Sequence, residues 1–350
     1  MIPLAADVDR LPPYPLDLDD RQRERVDRLM SGTVVSLHDH PVRLPDPLTP
    51  ESWAEYGESG TEHLGHAGLE RSGLDVVLAS SLAEPDQDRL LRWARRMRDA
   101  LAAVASGPVI LPALEDLGSI GADLDGIADL YDAGIRSAGL AYNAGNPLGG
   151  GLGQPVDGGL TPLGRRAVAE MNRLGMLVDL SHTGDRTAVE AAAISEAPVV
   201  ISHAGARALW PSPRMKPDDV LRAVAGTSGV IGVEAAPGST RVEGSPEHDL
   251  DAVMAHVEYI AELVGVDHVG LGPDTFFGDH TGLYAAAGWA PQPVPGHEGL
   301  ALPGYVSGME NPAEAPRNAA GWLVRRGWTD ADIAKVLGGN ARRVLDAVLR

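Results

Sequence analysis

Apolar residues gather in eight short runs, at residues 33–37, 74–79, 109–114, 135–142, 176–180, 197–201, 229–233 and 269–272. Runs of this length between polar or glycine-containing segments read as buried strands. Longer segments of helical character lie between them: residues 17–30, 86–104, 120–132, 162–174, 185–196, one opening at 217–219, then 249–264, 312–326 and 329–349. Thr161 followed by Pro162, and Thr329, supply the N-caps expected of helix starts. Residues 46–70, 143–159 and 275–306 lack this patterning, and the glycine density of 143–159 permits only a loop. Strand and helix alternating eight times over about 320 residues predict an α/β fold, a (β/α)8 barrel of the TIM type. The expected organisation is a single barrel domain with C-terminal helices at residues 32–350, behind a polar lead segment, 1–31.

Several chemically capable side chains sit where these runs end. The run 176–180 delivers His182 and the run 197–201 delivers His203, and the helix between them makes one strand-helix-strand unit. A right-handed crossover brings both strand ends to one rim, so these histidines become neighbours. His38 and His40, at i and i+2 after the first run, point to one side and can reach one ion. Glu115 follows the third run and Asp274 the eighth. Glu115-Asp116 equally suits a cap for the helix that follows. The ends of the strands form the catalytic face of such a barrel, so the six residues together propose a metal site. His63 and His66 have no strand context and read as surface residues, and His248, His256, His268, His280 and His297 stay unassigned.

Charge and composition narrow the field. Asp and Glu number 49 against 29 Lys and Arg, a formal charge of -20, which disfavours nucleic acid and anionic membrane as partners. Without cysteine, thiolate catalysis and disulfides are excluded and any ion must be held by His, Asp and Glu. No signal-length or membrane-length apolar run is present, so a cytoplasmic protein is expected.

From residue 34 onward the chain resembles the membrane dipeptidase (renal dipeptidase) family of zinc metallopeptidases, within the amidohydrolase-like barrels. The resemblance rests on the stretch 159–164 running into 171–182, on Ile201-Ser202-His203, on residues 214–219, on Gly265 through Asp274, and on the ending 326–344. It implies a dipeptidase of the hydrolase class, with two zinc ions per chain, though His, Asp and Glu ligands also admit manganese, iron or cobalt. His38, His40 and Asp274 would hold one ion and His182 with His203 the other, with Glu115 bridging. Arg214 would grip the substrate's free carboxylate. A non-covalent homodimer is also implied.

The sequence departs from the family pattern at four places. His40 stands where the family has Asp, removing one anionic ligand. Tyr142 replaces the histidine that stabilises the tetrahedral intermediate; it either donates a hydrogen bond to the oxyanion or packs under the glycine-rich loop. Residues 233–236 lack the expected tyrosine, and 274–278 depart from the usual D-F-D-G. Phe276 and Phe277, just past Asp274, are candidates to line the substrate pocket.

The expected chemistry is amide hydrolysis of a small peptide-like substrate, where paired divalent ions can lower the pKa of water toward ~7. Asp274 accepts that water's proton and passes it to the leaving amine, with Glu115 as bridge and Tyr142 at the oxyanion. Two further readings stand beside it: a repurposed member acting on another amide or carboxylate, such as an N-acyl amino acid or a specialised metabolite, and a catalytically silent binding barrel.

Overall fold

The computed structural model describes residues 2–81, 86–102, 106–245, 247–290 and 292–350. Eight parallel strands close into a barrel in sequence order: β1 (Val35–Asp39), β2 (Val76–Ser80), β3 (Val109–Leu114), β4 (Ser137–Gly139), β5 (Leu177–Asp179), β6 (Val200–Ala204), β7 (Val230–Val233) and β8 (Val269–Leu271). Closure comes from pairing of β1 with β8, Ser36 opposite Leu271. Strand residues are buried throughout apart from the start of β3, as expected of a sheet covered on both faces.

Thirteen helices are present among the described residues: α1 (Asp20–Met30), α2 (Pro50–Glu58), α3 (His66–Ser72), α4 (Gln87–Ala102), α5 (Asp125–Asp132), α6 (Pro162–Leu174), α7 (Asp185–Ile194), α8 (Asp218–Gly226), α9 (Leu250–Val264), α10 (His280–Ala287), α11 (Ala315–Arg325), α12 (Asp330–Ala334) and α13 (Asn340–Val348). Thr161 caps α6 and Thr329 caps α12 through their side chains, as the sequence predicts. The expected end of the fourth helix near Val104 lies outside the described residues.

Three segments differ from the expected pattern. Residues 46–70 carry α2, opened by a capping box between Thr49 and Ser52, and the start of α3. The stretch 275–306 carries α10, which Asp279 caps and Gly288 ends in the left-handed conformation. These helices are only seven to nine residues long, too short for an apolar period to show. The closing helix expected over 329–349 is divided by a π-helical turn at residues 335–339 into α12 and α13.

The division aims α13 at the barrel floor. Its Ala341, Val344, Leu345 and Val348 pack with Val35, Val76, Leu177, Val200 and Val230, the first residues of five strands. One end of the barrel is thereby sealed with apolar side chains, and the opposite rim is left for chemistry. At that rim Gly139 is required by packing, since a Cβ there would lie 2.2 Å from the Glu115 carbonyl oxygen.

A candidate metal centre at the barrel rim

The strand ends bring His38, His40, Glu115, His182, His203 and Asp274 into one buried cluster. His38 and His40 share a side of β1, their Nε2 atoms 3.4 Å apart. Asp39, between them, faces the other way, where Oδ1 accepts hydrogen bonds from Thr275 N and Oγ1 at 3.0 and 2.8 Å. It thus ties β1 to the segment after β8, and burial pushes its carboxyl up to about 6. His182 and His203 close the opposite side with Nε2 atoms 3.0 Å apart. Glu115 spans the two pairs. Its Oε1 lies 3.4 Å from His40 Nε2 and 3.9 Å from His38 Nε2, and its Oε2 lies 3.2 Å from His182 Nε2 and 3.9 Å from His203 Nε2. The neighbouring Asp116 accepts from Gly118 N at 2.8 Å in a local turn, but it does not cap the helix, which begins at Asp125 without a side-chain cap.

Asp274 completes the β1 side, its Oδ1 3.5 Å from His38 Nε2 and 3.2 Å from His40 Nε2. Its backbone is left-handed, φ 57°, a conformation rare for a residue with a side chain. A hydrogen bond from Asp274 N to His38 O at 3.0 Å holds it there. Burial alone would raise the Asp274 carboxyl, but hydrogen bonding to His38 and His40 in their protonated forms, and the charge of His38 and His203, hold it well below the usual carboxylate range. Glu115 is lowered for the same kind of reason, with His182 and His38 outweighing burial.

Outer partners fix the imidazole tautomers. The single hydroxyl proton of Ser202 goes to Asp179 Oδ2 at 2.5 Å, so Ser202 Oγ accepts from His203 Nδ1–H at 2.7 Å. His40 Nδ1–H donates to the Ser80 carbonyl at 3.0 Å, and His182 Nδ1–H to Asn143 Oδ1 at 2.8 Å. With their protons on Nδ1, these three rings turn the lone pairs of Nε2 toward the cluster centre. Lone pairs aimed at one another across 3.0 Å repel unless a cation lies between them. Donors around a tetrahedral zinc at ordinary bond lengths stand about 3.4 Å apart, close to the spacings seen. The residues present therefore fit two divalent ions, one on each side of Glu115.

The rim opens into a cavity of about 740 Å³ lined by Tyr142, Arg214, Glu234, Phe276, His280 and Trp210, among others. Tyr142 stacks on His182 with ring centroids 4.2 Å apart, and burial pushes its phenol up, so the hydroxyl remains a donor. Phe276 stacks on His40 at 4.4 Å. Phe277, which the sequence also places at the substrate, does not line this cavity; its ring packs over Gly65 and Gly68. Strand-like alternation just past Asp274 sends the two neighbours apart.

Arg214 reaches the cavity, but its Nη2 donates to His203 O at 2.7 Å and stands 2.6 Å from Glu234 Oε2. Glu234 lies in the stretch 233–236, whose sequence signal is only the absence of the expected tyrosine. Burial pushes its carboxyl up to about 8, against the opposing pull of Arg214. His280 is a second cavity residue left unassigned. It stands edge-on to Phe276 at 4.8 Å, and burial pushes it down to about 4, so it is neutral. The capping signal Asp279 before His280 could have located it. His256 is structural, accepting from Ala206 N and donating to Arg241 O.

Among the described residues no helix is long and apolar enough to cross a membrane. The sequence profile of the membrane dipeptidase family, peptidase family M19, matches residues 51–283. Dipeptidase tcpJ of Claviceps purpurea is 30% identical over 287 residues, which is 81% of this chain and 61% of that protein. The chain spans between 40% and 64% of the length of the curated relatives it matches. Among solved structures, an amidohydrolase from Pseudomonas aeruginosa superposes with a TM-score of 0.74 at 24% identity, covering 92% of this chain and 98% of that one. A metallo peptidase from Rhodobacter sphaeroides, liganded with a phosphinate mimic of the dipeptide L-Ala-D-Ala, gives 0.66 at 22% identity, covering 91% and 99%. These two likenesses bear on the barrel fold.

Proposed function

Because the chain belongs to the membrane dipeptidase family, we propose that it is a metal-dependent hydrolase that cleaves the amide bond of a dipeptide-sized substrate. The observation that carries this reading is the pair of Glu115 oxygens, one turned to His38 and His40 and the other to His182 and His203. Four imidazoles and two carboxylates suit zinc. Two such ions, when bound, lower the pKa of water and polarise the scissile carbonyl.

The chain's own residues supply the rest. Asp274, kept ionised within the cluster, accepts the proton of the attacking water and returns it to the leaving nitrogen as the C–N bond breaks. Tyr142 donates its hydroxyl hydrogen bond to the carbonyl oxygen as that oxygen gains charge. Phe276 and His280 wall the reacting centre with a neutral, largely apolar surface that excludes water.

The test is hydrolysis of a panel of dipeptides of both stereochemistries, and of N-acyl amino acids, by zinc-loaded protein. Turnover that a chelator abolishes, zinc restores and Glu115→Gln removes is the expected result. Intact folding and metal binding with no cleavage of any amide would instead make this a binding barrel. A second reading, an amide that is not a free dipeptide, is favoured by the Arg214–Glu234 pair.

A further inference from the structure

The corner formed by Arg214 and Glu234 narrows the substrate class, an argument that rests on the proposed amide hydrolysis. Every two-pronged grip that a guanidinium offers a carboxylate uses Nη2, together with either Nη1 or Nε. In this chain Nη2 is held between the His203 carbonyl at 2.7 Å and Glu234 Oε2 at 2.6 Å, and Nη1 donates to Ser181 O at 3.2 Å. A substrate carboxylate would have to take Nη2 from the buried Glu234 carboxyl and displace its 2.6 Å contact with Arg214. Glu234 itself is fully buried and lines the cavity; its Oε2 faces Arg214 Nη2 at 2.6 Å, and its Oε1 has no hydrogen-bond partner among the described residues. An acceptor so placed calls for a donor.

We propose that Glu234 determines specificity by closing the carboxylate grip of Arg214, so that the preferred substrate ends in a carboxamide where a free dipeptide ends in a carboxylate. The carboxamide N–H donates to Glu234, and its carbonyl oxygen faces the guanidinium. The same cavity is also lined by Trp289, Pro293, Val294, Leu300 and Leu302, of which Trp289 and Leu300 are exposed. That apolar mouth has room for a group carried on the amide nitrogen, and about 740 Å³ exceeds what a bare dipeptide needs.

The experiment compares matched pairs, each a dipeptide and its C-terminal methylamide, on zinc-loaded wild type, Glu234→Gln and Glu234→Ala. Alongside kcat/KM, calorimetry reads the binding of phosphinate dipeptide mimics in acid and methylamide forms. Wild type is expected to favour the methylamide by about tenfold or more, chiefly in KM and Kd, and Glu234→Gln to reverse the order. Acid and methylamide bound equally, or acid bound better, would overturn the proposal, as would an unchanged ratio in Glu234→Gln. The near-isosteric Gln variant carries the comparison if Glu234→Ala fails to fold. Since phosphinate binding needs no turnover, preference for the methylamide with no hydrolysis supports this specificity and overturns the hydrolase reading instead.

Discussion

On the β5–β6 side of the centre, His203 leans on Ser202, and Ser202 on Asp179, a carboxylate that also accepts from Ser181 Oγ at 2.6 Å and from the backbone N–H of Ser181 and Ser202. On the β1 side, His40 leans on one backbone carbonyl and on the flat face of Phe276. The first half is pre-organised by a chain of hydrogen bonds that ends in a buried charge. The second holds the charge in its own ligand, Asp274, and its partners are neutral. Orientation would secure one ion and electrostatic attraction the other. His40, a neutral ring where the resemblance implies an anionic ligand, lies on the half that would depend on charge, which is where the difference should be felt.

Breaking the bridge should erase the comparison. Glu115→Gln is expected to weaken both ions by more than about a hundredfold, beyond what loss of an outer partner gives, as read by competitive zinc titration. Asp179→Asn should act on one half only, weakening a single ion about 10- to 100-fold through the loosened Ser202 and His203. Loss of both ions equally would show that the halves are not independent. His40→Asp should sharpen the contrast in the other direction by adding charge to the β1 side, tightening one ion about tenfold. Phe276→Ala removes a stack of order 0.5–1.5 kcal/mol and should weaken the β1-side ion only a few-fold.

A smaller effect lies outside the ions. Lys216 is fully buried, donates to Thr183 O at 2.7 Å, and is pushed down from 10.5 to about 7 by burial and by Arg214. Between those values the unfolded chain binds the extra proton, so this group's contribution to stability rises with pH from about 7 to about 10. Thermal unfolding of wild type against Lys216→Met should show that rise in the difference between the two. A parallel pair of curves would contradict it.

The barrel was legible because each strand is a compact apolar run and each long helix has a cap, as Thr161 shows. The cluster of candidate ligands was legible because all six of its residues lie within three positions past the ends of apolar runs. The missing parts share a different cause. Glu234 lies one residue past β7 and reads as a departure from a family stretch, and its significance appears only when Arg214, twenty positions earlier, is brought within 2.6 Å by the fold. Asp179 and Ser202 look like ordinary strand residues until their hydrogen bonds are seen. His280 sits on a helix too short to announce itself. Sequence pattern reports burial and period, whereas pairing between distant side chains depends on register.

The most direct test of the central claim, that Glu115 bridges two ions of unequal support, is a calorimetric zinc titration of metal-free protein with Asp179→Asn in parallel. The account predicts about two ions per chain in wild type, with only one of them weakened in the variant. A single tight ion in wild type, or both weakened together in the variant, would contradict it.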